Sequence, residues 1–115
     1  MRLEDKAFLY DIQQAAQLLQ EFAKGKKLED YSSDVLLRSA IERQFEIVGE
    51  ALSQLAKSNL EVAAQISEYR RIISFRNILV HGYAKVDDRV VWNVLQEKLP
   101  TLQVEVEKLL LSAAD

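Results

Sequence analysis

The sequence predicts an all-α fold, an antiparallel bundle of about four to five helices joined by short connections. Apolar residues recur at helical spacing over long stretches. No stretch alternates with the two-residue period of a strand. Only three glycines and one proline interrupt the 115 residues, which favours long helices and few turns.

Phe8, Ile12, Ala15, Ala16, Leu19 and Phe22 follow helical spacing, with Gln13, Gln14, Gln17 and Gln20 elsewhere on the wheel. The first helix is expected over 3–24, closed by Gly25, since glycine tolerates the left-handed backbone of a C-terminal cap. "KGKKLEDYSS" then reads as a polar connection, with an N-cap at Ser32 or Ser33. Lys24, Lys26 and Lys27 in it read as a solvated helix end, with guidance of a polyanion as the alternative.

The second helix, expected over 34–57, carries the widest stripe: Leu37, Ala40, Ile41, Phe45, Val48, Leu52 and Leu55. Gly49 inside it costs about 1 kcal/mol relative to alanine. Such a residue marks either the close approach of another helix or a functional bend. "KSNLEVAAQISEYRR" holds a short helical turn and a break. A third long helix covers 67–81 and ends at Gly82. A fourth follows Asp87, a natural N-cap. Pro100 starts a fifth, with Leu102, Val106, Leu109 and Leu110 as its apolar positions. Phe8, Phe22, Phe45 and Trp92 fall at core spacing.

The length suits one domain, 1–115. Apolar runs of a few residues leave no membrane span, and the N-terminus lacks the apolar stretch of a secretory leader. With no cysteine there is no disulfide framework or thiolate metal site, so a cytoplasmic location is expected. One histidine is too few for a typical zinc site, and no carboxylate pair has ligand spacing, so no metal is expected. No glycine-rich phosphate loop exists and no cofactor is expected. A net charge of −3 argues against a broad basic surface for nucleic acid, while leaving room for a local cationic site.

The stretch "ISFRNILVHGY", ending at Tyr83, concentrates the unusual chemistry. On a wheel of about 100° per residue, Ile72, Ile73, Phe75, Leu79 and Val80 fill an arc of about 160°, and Arg76 falls near its middle. A guanidinium stays charged. Arg76 therefore requires a carboxylate partner, or its face lines a cleft or a second subunit. Asn77 and His81, four residues apart, share a side of the helix. Arg76 and His81 lie about 140° apart, so one helix does not aim them at one point.

His81 in the last turn is either a helix-end cap or a proton shuttle, because the carbonyl end favours a cationic imidazole. An arginine beside it would bind a phosphate and stabilise charge on phosphoryl oxygens. Together these groups have the parts for cleaving RNA without a metal. Tyr83, past the glycine, is a packing residue with its hydroxyl in water on the simplest reading.

Arg76-Asn77-Ile78-Leu79-Val80-His81-Gly82-Tyr83 has the form R-N-x-x-x-H-x-Y, which resembles the signature of HEPN-domain proteins and specifically of HepT-like toxins. "ERQFEIVGEAL", with Gly49-Glu50-Ala51, and "VDDRVVWNVLQEKLPTL" resemble the family's segments before and after the motif. The resemblance covers the chain from about residue 8 onward. One departure is Tyr69, which stands where the family often has tryptophan, without the usual preceding proline.

The resemblance implies a HEPN-like bundle forming a two-fold homodimer whose signature helices meet across the axis. It implies a toxin of a type VII-like toxin–antitoxin system, an RNA-cleaving enzyme with Arg76 and His81 as its catalytic pair and Asn77 orienting. It implies a minimal nucleotidyltransferase antitoxin of the MntA type, which transfers AMP to Tyr83. Glu50 is either the counter-charge of Arg76, supporting the site, or a solvated helix charge. The competing reading is a non-catalytic HEPN module that binds a nucleotide or a nucleotidyltransferase without cutting RNA.

Overall fold

The first helix begins ahead of its apolar stripe. The computed structural model describes residues 1–81 and 86–113, and in it α1 spans Leu3–Ala23. Its buried face includes Ile12, Ala15, Ala16 and Leu19 of the expected stripe, together with Leu9, while Phe8 and Phe22 are half-buried. Gly25 follows the C-cap at φ 74°, the left-handed conformation that ends helices most cheaply at glycine.

The polar connection after α1 is not wholly irregular. It contains α2, Leu28–Ser33, whose single buried residue is Tyr31. Ser32 and Ser33 lie inside this helix and cannot cap the next one. Asp34 does so instead: its Oδ1 accepts from the backbone N–H of Leu36 at 3.0 Å and of Leu37 at 3.2 Å. The long helix α3 then runs over Val35–Ser58.

Asn59 ends α3 and caps the short α4, Leu60–Ala63, by accepting from the N–H of Val62. The next long helix, α5, spans Tyr69–His81 rather than starting at residue 67. Glu68 has φ 56°, a left-handed geometry incompatible with a helix interior. Two contacts hold that corner. Ser67 donates through its N–H and its hydroxyl to the Glu105 carboxylate. Lys98 Nζ lies 3.1 Å from Glu68. Asp87 caps α6, Asp88–Glu97, as expected. In α7, Leu99–Ser112, Pro100 sits in the first turn, where its missing N–H costs nothing.

Seven helices are thus present among the described residues, five longer ones and the short α2 and α4. α3 is the axis, with α1 and α5 packed most extensively on it; α7 closes over α1, and α2 bridges α3 and α6. The N-terminus of α1 meets the C-terminus of α3 in antiparallel fashion, because Arg2 Nη2 donates to the Ser58 carbonyl at 3.2 Å. Asp5, fully buried, accepts from Ser58 Oγ at 2.5 Å and from Asn59 Nδ2 at 3.2 Å.

The core is continuous through Leu9, Ile12, Leu19, Ile41, Leu52 and Val106, all at 0% exposure. Each such aliphatic side chain contributes about 1.5–3 kcal/mol by leaving water. Of the four aromatics expected in the core, Phe45 is buried, while Phe8, Phe22 and Trp92 are half-buried against it. Trp92 packs on Tyr31 with ring centroids 5.7 Å apart, which seats α2 on α6. No described helix is long and apolar enough to cross a membrane.

Candidate functional site

Gly49 lets α5 come against α3 at one point. A Cβ at Gly49 would fall 2.1 Å from the Cβ of Arg76. Of the two expectations for this glycine, close helix approach is the one observed. The edge-to-face contact of Phe75 with Phe45, 5.3 Å between centroids at 82°, fixes the rotation of α5 beside it. Arg76 is thereby laid across the surface of α3.

The guanidinium is held on two sides. Arg76 Nη2 lies 2.7 Å from Glu50 Oε2, so Glu50 is the counter-charge and not a free helix carboxylate. Arg76 Nη1 donates to Asn77 Oδ1 at 3.0 Å. The Glu50 carboxylate also accepts from Gln54 Nε2 at 3.2 Å. Arg76 Nε is shielded from solvent and has no partner among the described residues. With side-chain exposures of 24% for Arg76 and 49% for Glu50, the pair is wet on one side. An incoming phosphate can therefore reach the guanidinium from the groove.

That groove lies between α1, α3 and α5 and has a volume of about 380 Å³. Phe8, Asp11, Arg43, Glu50, Arg76 and Val80 contribute to its lining. Its charge is mixed: Arg43 is tied to Glu46 at 3.6 Å and Arg76 to Glu50.

His81 is the last residue of α5 and is exposed. The structure brings Glu50, Arg76 and Asn77 together and leaves His81 on the outward side of the same helix. The wheel argument anticipates this separation. Tyr83 and Gly82 lie outside the described residues. Within one turn of His81, Ile78 and Val80 are exposed at 52% and 41%. No residue of α5 is fully buried; the helix packs chiefly on α3, and among the described residues its outward face is exposed. The sequence reading did not single out Glu68, Lys98 and Glu105, which fix where α5 starts. Nothing in the pattern pairs residues so far apart.

An all-α bundle with Arg76, Asn77 and His81 on one helix is the arrangement that the resemblance to HEPN-domain proteins implies. The chain is more specifically a member of the HepT-like ribonuclease family: the family model described as Ribonuclease HepT-like matches residues 12–109. A Thermococcus cleftensis protein named Probable ribonuclease HepT is 33% identical over 109 residues, 95% of this chain and 98% of its own. A Methanocaldococcus jannaschii protein named "Putative RNase" is 32% identical over 102 residues, 89% of this chain and 93% of its own. No solved structure is a significant match to the chain.

Proposed function

We propose that this protein is the toxin of a type VII-like toxin–antitoxin pair, a metal-independent endoribonuclease whose site forms between two copies of the chain. One observation carries the reading. Glu50 draws Arg76 toward α3, while His81 is exposed at the end of α5 beside exposed Ile78 and Val80. Two copies meeting along that apolar, histidine-bearing end would cover Ile78 and Val80 and pool two arginines and two histidines at one seam.

The chemistry follows from those groups. A neutral imidazole takes the proton from a ribose 2′-hydroxyl, and the oxygen attacks the adjacent phosphorus. The O2′–P bond forms, the P–O5′ bond breaks, and a protonated imidazole supplies the proton to the leaving 5′ oxygen. The products carry a 2′,3′-cyclic phosphate and a 5′-hydroxyl. Arg76 stabilises the added negative charge on the phosphoryl oxygens. Asn77 orients it through the Nη1 hydrogen bond.

Control is assigned to Tyr83. Its phenol oxygen attacks the α-phosphorus of ATP on a partner nucleotidyltransferase, releasing pyrophosphate and leaving AMP on the ring. The added bulk and charge beside a phosphate site repel RNA.

The alternative, a non-catalytic HEPN module, is favoured by one feature: Glu50 already neutralises Arg76. Purified protein incubated with total cellular RNA separates the two. Cleavage that survives chelator and disappears in His81→Ala, with the fold and assembly intact, supports the enzyme. Intact RNA with unmodified wild type would falsify it. Co-expression with a minimal nucleotidyltransferase partner should add whole AMP units to wild type and none to Tyr83→Phe.

A further inference from the structure

The outward face of α5 carries more than the histidine. Arg70, Ser74, Asn77 and His81 stand at i, i+4, i+7 and i+11, which confines them to an arc of about 60° on the wheel. All four are exposed. The row runs about 16 Å along the helix axis, a span that a single RNA strand covers with a few nucleotides.

Arg70 at the far end is poised rather than occupied. Its Nε donates to the Tyr69 hydroxyl at 3.1 Å, and its guanidinium lies 5.6 Å from the Tyr69 ring centroid. These contacts hold the head group over the aromatic ring and leave both terminal nitrogens without a partner among the described residues. The nearest acid in sequence, Glu68, is already engaged by Arg71 at 3.1 Å and by Lys98 at 3.1 Å. Those cations hold its carboxyl below the usual range, with Lys98 the larger influence. Of the guanidiniums on α5, Arg71 and Arg76 are paired with carboxylates, whereas Arg70 has no such partner among the described residues.

We propose that Arg70, with the Ser74 hydroxyl, forms a phosphate subsite that holds the RNA strand a few nucleotides from the bond cleaved at His81. The inference rests on the ribonuclease reading and adds a direction to it: the strand lies along the outward ridge of α5 toward its N-terminus. Arg70 is a binding residue here, acting on affinity and not on the chemical step. A phosphate fits its free planar edge through two parallel N–H···O bonds.

The test uses single-stranded RNA oligonucleotides and the full chain carrying His81→Ala to block cleavage. Affinity is measured across salt for this background alone, with Arg70→Gln and with Arg71→Gln. Arg70→Gln should weaken binding severalfold and lower the magnitude of the log–log salt slope by about one, the signature of one lost phosphate contact. Arg71→Gln, which removes an equal but engaged charge, should do clearly less. In the cleaving protein, Arg70→Gln should raise KM on a long RNA with kcat unchanged. Equal losses in the two variants, or no loss in Arg70→Gln, would overturn the subsite. If unmodified wild type cleaves RNA normally in that case, the ribonuclease reading stands without it. If wild type neither binds nor cleaves RNA, both fall.

Discussion

Gly49 and Arg76 are in direct opposition: the backbone of α3 at Gly49 is the surface on which the Arg76 stem rests, and a Cβ there would lie 2.1 Å from the Arg76 Cβ. Alanine is the better helix former by about 1 kcal/mol, so helix propensity alone predicts a more stable Gly49→Ala. The clash opposes this, because both Cβ atoms are fixed to backbones and only a shift of α5 relieves it. Overpacking of this kind costs about 1–3 kcal/mol. Gly49→Ala should lower the melting temperature and also depress RNA cleavage, since Arg76 moves with α5. A variant as stable and as active as wild type would contradict the close approach.

The Glu50–Arg76 pair is half in water, so its contribution to stability is at most about 1 kcal/mol. Its effect on the proposed ribonuclease activity should be larger. Glu50→Gln removes a carboxylate that competes with phosphate and also frees the arginine to move. Both KM for RNA and kcat should fall, kcat on the order of tenfold, with the melting temperature nearly unchanged. If neither kinetic parameter moves, Glu50 plays no part in the site.

If the proposed seam combines Arg76 of one copy with His81 of another, inactive variants should complement each other. Arg76→Ala and His81→Ala chains are each inactive alone. When mixed and allowed to exchange, half the dimers hold one intact site of two, so about a quarter of wild-type activity should return. Titrating the mixing ratio in a cleavage assay checks this. No recovery despite demonstrated exchange places both groups of a site on one chain.

Asp5 predicts an acid limit to stability. Its carboxyl is held below its usual 3.8, chiefly by the Ser58 hydroxyl, against the opposing effect of burial. A carboxylate whose folded pKa is depressed contributes stability that is fully present above the unfolded value. That contribution is lost as pH falls through the folded one. Thermal melts should therefore be insensitive to this latch at neutral pH and should drop below about pH 4. Asp5→Asn should be less stable than wild type at pH 7, and the gap should narrow on acidification. A constant gap would assign the acid loss to other groups.

Tyr31 carries a hydroxyl that is buried and has no hydrogen-bond partner among the described residues. Burial, with the negative charge of Glu42 and Asp88 adding to it, pushes the phenol well above its ordinary pKa. An unsatisfied buried hydroxyl costs about 1–3 kcal/mol, so Tyr31→Phe should be as stable as wild type or more so, by about 1 kcal/mol. The stacking on Trp92 is retained. A clear loss of stability in denaturant melts would reveal a bond that the hydroxyl does make.

The local features follow the local chain. The stripes of α1 and α3, the Gly25 end, the Asp87 cap and Pro100 in a first turn each depend on residues within a few positions of one another. The short helix around Tyr31 is less legible, because "LEDYSS" has no apolar periodicity: a local cap, Asp30 accepting from the Lys27 N–H at 2.8 Å, combines with Tyr31 docking between α3 and α6. The same division runs through the site. Wheel geometry already separates Arg76 from His81, and the R-N-x-x-x-H-x-Y pattern marks both.

Amino-acid order alone therefore determined an all-α chain, the helix that bears the candidate site and the side chains on it. Tertiary packing decided the partners: that Arg76 lies on Gly49 and answers Glu50, that Glu68 turns left-handed and is tied to Lys98, and that Ser67 is anchored by Glu105. The physical reason is range. Helix spacing and caps are set by neighbours a turn away, whereas a charge finds its counter-charge only after burial has brought distant segments within a few ångströms of each other.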